Sequence, residues 1–244
     1  MKRIIFIAIA FILAMPAAIS QSVELVGGIG VNASQGKYKG LNFVLDRYNQ
    51  TRQGQSGAAK VQTAMGTINS LTGISWQLGL TVIDESLVFY TGVNRIGRAG
   101  STFAKVTDIN GSTGQRDVRF TANSVNLELG IGARNNRFMG ILGGSLDFIK
   151  NKAYTKLNSS DYNKVMDDFN LGFSFFADVN VFVSKNFALS VKPYWQAVLV
   201  DTDFTDLNRA INPATYYNDD YEDVSSSTSN LGLQIQLRIF TSED

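Results

Sequence analysis

The sequence has no cysteine and no histidine. Without cysteine there is no disulfide framework, thiolate metal site or lipoprotein anchor. Without histidine a Ser-His-Asp triad cannot form, nor can a zinc site ligated by histidine. No spacing of Asp and Glu singles out an acid/base pair of the glycosidase kind. The expectation is therefore a protein that is not an enzyme, with no cofactor and no metal. Charged residues make up only 18% of the chain, below the roughly 25% of soluble domains. Proline is also scarce, at 3, against 22 glycines, which suits strands and turns. No apolar run is long enough for a transmembrane helix, which needs about 20 residues.

The N-terminus has the form of an export signal. Lys2 and Arg3 precede an apolar run over 4–15, too short to span a bilayer as a helix. Pro16, Ala17, Ala18, Ile19 and Ser20 follow. Ala18 and Ser20 satisfy the small-x-small rule, so residues 1–20 are expected to be a signal peptide cleaved after Ser20. Removing Lys2 and Arg3 from the 22 basic residues leaves the 21 acidic ones one ahead, and no basic footprint for nucleic acid remains.

Residues 21–244 read as one β domain. Leu231, Leu233, Ile235, Leu237 and Ile239 alternate with Gly232, Gln234, Gln236 and Arg238, the period of a strand with two unlike faces. The same period marks strands over 22–31, 73–82, 87–95, 116–134, 137–150, 169–184 and 187–200. Within 116–134, Val118 and Phe120 fall out of phase with Val125, Leu127, Leu129 and Ile131, which predicts a bulge near 122–124. Tight hairpins are expected at 83–86, 135–136 and 185–186. Long connections are expected over 32–72, 96–115, 151–168 and 201–227. Short turns at one end and long loops at the other are the rhythm of an outer-membrane barrel.

An all-β fold follows: an eight-stranded antiparallel up-and-down transmembrane β-barrel, with four long extracellular loops and a short helix in the first. Leu41, Val44, Leu45 and Tyr48 carry the helical spacing, and Gly54-Gln55-Ser56-Gly57 ends it. The helix is expected on the rim, with insertion into the mouth as the alternative. Phe89, Phe138 and Phe187 lie near the short-turn end. Trp76, Phe148, Phe169 and Trp195 lie toward the long-loop end, so two aromatic girdles are expected.

With the aliphatic faces toward lipid, the other faces fill the lumen. They carry Glu24, Glu128, Asp147, Asp178, Lys192 and Arg238, with Gln77, Asn126, Asn180, Tyr194, Gln196, Gln234 and Gln236. Eight strands leave room for side chains only, so these charges are expected to pair as a polar network. A narrow pore or proton path is the other reading. Gly27-Gly28-Ile29-Gly30 and Gly130-Ile131-Gly132 lack the dinucleotide-binding spacing and read as relief of crowding. The last loop is acidic, with Asp201, Asp203, Asp206, Asp219, Asp220, Glu222 and Asp223 against Arg209. It reads as a solvated charged loop, with calcium or a basic partner as the alternative. Asp206 stands where a calcium loop needs glycine. The first loop leans basic, and attraction between the two loops could close the mouth.

These features together resemble the small eight-stranded outer-membrane β-barrel superfamily of Gram-negative bacteria, the type of OmpX and the OmpA membrane domain. The resemblance covers 21–240 and rests on the signal, the loop rhythm and the closing strand. It implies the cell outer membrane as location and outer-membrane lipid as surroundings. It also implies the barrel assembly machinery as a partner in biogenesis. Family members end on an aromatic residue, whereas here Phe240 is followed by Thr241-Ser242-Glu243-Asp244. The expected role is structural, or surface interaction through loops toward an unidentified ligand or protein. A narrow channel or a transport- or secretion-accessory barrel is the first alternative. A periplasmic lipocalin-like carrier is the second, and it requires the inverse polarity.

Overall fold

The computed structural model describes residues 22–53, 60–107, 111–212 and 224–241. The signal peptide, most of the acidic cluster (Asp219, Asp220, Glu222 and Asp223) and the glycine stop after the first helix lie outside them. Eight strands carry the fold: β1 (Ser22–Gly36), β3 (Ser70–Asp84), β4 (Leu87–Thr107), β5 (Thr113–Arg134), β6 (Phe138–Leu157), β7 (Asn163–Ser184), β8 (Phe187–Val198) and β11 (Asn230–Phe240). Each pairs antiparallel with its neighbours in chain order. β11 then pairs with β1, Val26 against Phe240 through Gly36 against Asn230, and closes the ring. Closure leaves no sheet edge in the ring. A short β2 (Lys60–Thr63) adds to the upper end of β4, and β9 (Thr202–Asp203) with β10 (Ser225–Ser226) forms a small hairpin.

The strand faces follow the pleat. On β11 the residues Leu231, Leu233, Ile235, Leu237 and Ile239 are exposed, while Gln234, Gln236 and Arg238 are buried. The pattern recurs around the ring. Leu129, Leu142 and Ile74 are each about two-thirds exposed, as no soluble sheet would leave them in water. Apolar outside and polar inside is the polarity of a barrel dissolved in lipid. It is the inverse of what a lipocalin-like carrier requires.

Two expectations about the upper half fail together. β4 to β7 run 20 to 22 residues and take up most of 96–115 and 151–168, expected as loops. At roughly 2.5 Å of height per residue this wall stands about 50 Å tall, twice the apolar belt. β8 and β11, with 12 and 11 residues, end near the belt. There is also no bulge at 122–124: β5 keeps unbroken register with β4 and with β6. Val118 and Phe120 lie on the same inward face as Ser124, Asn126 and Glu128. What changes along β5 is the content of the interior, from polar to apolar.

The apolar content is helical. Helix α1 (Lys39–Gln53) buries Leu41, Val44, Leu45 and Tyr48 completely or nearly so. They share one core with inward Leu71, Ala104, Val118, Phe120, Ala153 and Met166. Helix α2 (Thr205–Ile211) adds Leu207 and Ile211, and Phe204 precedes it. Phe120 lies 5.8 Å from both Tyr38 and Phe204, ring centre to ring centre. The helix therefore fills the mouth, against the expected rim position. Its four buried side chains, at about 1.5–3 kcal/mol each, favour insertion by several kcal/mol.

Candidate functional site

The lumen is stacked in three levels. At the short-turn end Val26, Val88, Met139, Ile141, Ala188 and Phe240 form an apolar floor. Arg134 lies over the Phe182 ring at 4.4 Å and forms an ion pair with Glu24. Phe240 points inward, fully buried, 5.0 Å from Phe182.

The middle level holds the charges. Lys192 donates to both oxygens of Glu128 at 2.6 Å, and its ammonium lies 4.1 Å from the Phe176 ring centre. Asn94 and Tyr90 donate to the same carboxylate. Arg238 donates to Asp178 at 2.5 Å, to Asn180 at 3.0 Å and to Gln77 at 2.8 Å. Ser190 and Asn180 also donate to Asp178. Each of these charges is at most 2% exposed, so the charge-assisted hydrogen bonds must offset a large desolvation cost.

Among the described residues, no cation pairs with Asp147. It accepts from Ser145 at 2.5 Å, from Ser174, and from the Gln196 amide at 2.7 Å. The oxygen of that amide accepts from Arg98 at 2.8 Å. One glutamine thus links a buried carboxylate to a buried guanidinium and fixes its own orientation. Arg98 also donates to Asn230 at 2.7 Å and to Tyr194 at 3.2 Å.

The third level is the helical plug. Asn151, Asn170, Thr202 and Thr228 form a polar seam beside it. Burial raises the Tyr38 hydroxyl above its ordinary range, with Arg98 opposing the shift.

All six lumen charges singled out in the sequence are buried here, as are Gln77, Asn126, Asn180, Tyr194, Gln196, Gln234 and Gln236. Glu128–Lys192 and Asp178–Arg238 belong to one network, joined through Gln77 and Tyr90 and again through Gln236, Gln234 and Asn94. Asp147 lies with Gln196 and Arg98, and Glu24 pairs with Arg134 at the floor. Arg98, Arg134, Asn94, Tyr90 and Ser174 were missed. Arg98 falls within 96–115, expected as a long connection, yet continuing the period of β4 three residues beyond Arg95 turns it inward. Trp76, Phe89, Phe138, Phe169, Phe187 and Trp195 are exposed on the outer face, and Phe148 is half-buried there. Phe175 stacks on Trp195 at 6.1 Å. Of the acidic residues, Asp203 accepts from the Thr205 amide at the start of α2, Asp206 pairs with Arg209, and Asp201 is exposed. The described hydrogen bonds between the two loops run from Arg52 to the Ile211 carbonyl at 3.0 Å, from the Gly40 amide to Ser226 at 2.7 Å and from Asn212 to the Val44 carbonyl at 3.2 Å, none of them to a carboxylate.

An eight-strand ring with a lipid-facing apolar surface and a filled polar lumen defines a small transmembrane β-barrel. Solved structures similar to the chain include the outer membrane protein OprG of Pseudomonas aeruginosa, at 10% identity, TM-score 0.44, covering 91% of this chain and 98% of that one. The attachment invasion locus protein Ail of Yersinia pestis, solved with the heparin analogue sucrose octasulfate, is 12% identical at TM-score 0.40, covering 89% and 97%. Neisserial surface protein A is 10% identical at TM-score 0.35, covering 90% and 97%. No family model and no curated protein matches the sequence.

Proposed function

We propose that this chain is an outer-membrane barrel with a structural and surface-interaction role, non-catalytic and non-conducting. The carrying observation is the three-level filling of the lumen: apolar floor, ion-paired middle and helical plug. A continuous water path has to cross all three. The tall wall of β4 to β7 with its enclosed helices is a rigid platform above the bilayer, suited to presenting loops to a surface ligand or protein. Outer-membrane lipid surrounds the belt, and the barrel assembly machinery inserts the chain after cleavage behind Ser20.

Planar-bilayer recording tests this reading. We expect no conductance steps from the refolded protein at any voltage the bilayer tolerates. Reproducible steps would overturn it in favour of the narrow channel. Among the described residues, Asn94 Oδ1, Ser124 Oγ and Asn126 Oδ1 are buried on adjacent strands with no hydrogen-bond partner. Such oxygens call for isolated buried waters.

A further inference from the structure

The outer face is not uniform above the apolar belt. On β1, β3, β8 and β11, the outward positions over 25–35, 70–82, 187–197 and 231–239, most of them within the belt itself, carry no charged residue, and β8 and β11 end there. On β4, β5 and β6 they carry a cluster of cations. Arg95 stands in register with Val125, Lys150 with Asn123, Lys152 with Thr121, and Arg119 with Ser101 and Tyr154. Strand spacing and rise put neighbouring members of this set about 7–12 Å apart, close enough for two long side chains to share one anion. The residues between them are short: Gly97, Ala99, Thr121 and Asn123. The cations therefore stand around a shallow recess.

The set is short of counter-charge. Lys150 pairs with Asp167 at 3.1 Å, and Asp167 also holds Lys164. Among the described residues Arg95, Arg119 and Lys152 have neither an ion pair nor a side-chain hydrogen bond. Directly below them on the same strands run Val93, Val125, Leu127, Leu146 and Phe148, all facing lipid. The recess is thus continuous with the belt and lies at the end away from the short turns. The leaflet at that end is the outer one.

We propose that Arg95, Arg119 and Lys152, with Lys150 beside them, form a binding site for the phosphate groups of an anionic lipid in the outer leaflet. Guanidinium and ammonium groups bind phosphate by charge-assisted hydrogen bonds, and each basic residue near an anionic lipid surface adds attraction. Continuity with the apolar belt selects a lipid over a soluble polyanion, because acyl chains then run down Val125, Leu127 and Phe148 while the headgroup fills the recess. This inference rests on the membrane placement proposed above.

Native mass spectrometry of the barrel from uncharged detergent tests it, with bisphosphorylated lipid A as the probe and its phosphate-free form as comparison. We expect wild type to retain the bisphosphorylated probe and the triple variant R95Q/R119Q/K152Q to bind it at least tenfold more weakly. Arg137→Gln, in a turn at the other end, should bind as wild type. The proposal is overturned if the triple variant binds within twofold of wild type, or if the phosphate-free probe binds equally well. It is also overturned if soluble heparin binds through these three residues tenfold more tightly than the lipid. Each sample is run on a gel with and without boiling. A variant without a heat-shifted band is replaced by the three single variants. A wild type without one defeats the membrane placement itself, a failure distinct from loss of lipid binding.

Discussion

Lys192 and Glu128 meet at mid-lumen with the ammonium 2.6 Å from both carboxylate oxygens, each side chain almost wholly buried. They come from strands β8 and β5, three strands apart around the ring of eight, so the pair reaches across the interior. Buried pairs of this kind lose more when one partner is removed than they contribute over an apolar pair. Lys192→Met leaves the buried Glu128 carboxyl with Tyr90 and Asn94 as its remaining donors among the described residues. Urea titration in lipid vesicles should show a loss of about 3–5 kcal/mol. The double variant K192M/E128L should recover most of it. Equal losses in single and double variants would mean that the two groups are energetically independent.

The plug makes a second prediction. Leu45 is fully buried in the core that α1 shares with Phe120 and Phe204. Leu45→Ala should cost about 2–5 kcal/mol if the surrounding core does not collapse into the space. The loss should be local. Hydrogen exchange should quicken across 39–53, while amides of β11 and β1 keep their protection, because their register pairing lies in the membrane-embedded ring. Uniform acceleration would show that plug and ring unfold as one unit.

How much of this could be read beforehand differs between the two halves of the barrel. Within the bilayer, lipid outside and polar groups inside impose opposite demands on alternate residues, and Leu231 to Ile239 display them plainly. The lumen charges followed from the same parity. Above the bilayer both demands change. Water replaces lipid outside, so Arg119, Lys150 and Lys152 replace leucines; a helix fills the interior, so Val118 and Phe120 replace amides. The alternation inverts while the backbone continues, and an inverted pattern mimics a bulge. Partners across the ring were not legible either. Gln196 reaches Asp147 and Arg98 only because strands far apart in sequence face one lumen.

A third prediction concerns a close approach in that lumen. Gly232 stands in register with Tyr194, and a Cβ on Gly232 would sit 2.1 Å from the Tyr194 ring. The ring lies flat on the glycine, which lets its hydroxyl accept from Asn32 at 3.0 Å and from Arg98 at 3.2 Å. Gly232→Ala must displace the ring and should destabilise by about 1–3 kcal/mol through overpacking. Adding Tyr194→Ala should make the alanine at 232 nearly neutral, a coupling readable in a double-mutant cycle. Additive losses would place the strain elsewhere.

The last prediction is a pH dependence at the top of the wall. Asp167 sits on β7 above the apolar belt, exposed, and takes hydrogen bonds from Lys164 and Lys150. The hydrogen bond from Lys164, more than the one from Lys150, holds its carboxyl below its ordinary value of 3.8. The same bond raises Lys164 above 10.5. For Asp167 the folded value is the lower one. Its contribution is therefore present above the unfolded value and is lost as pH falls through the folded value. For Lys164 the folded value is the higher one, so its contribution is present below 10.5 and lost as pH rises past the folded value. The local link is thus intact across the neutral range and fails at both extremes. Solvent screens exposed pairs, so the barrel itself should stay folded through both transitions. Carboxyl-detected NMR in micelles should place the Asp167 midpoint below 3.8, and Lys164→Gln should move it upward. A midpoint that stays put in the variant would make Lys150 the group that sets it.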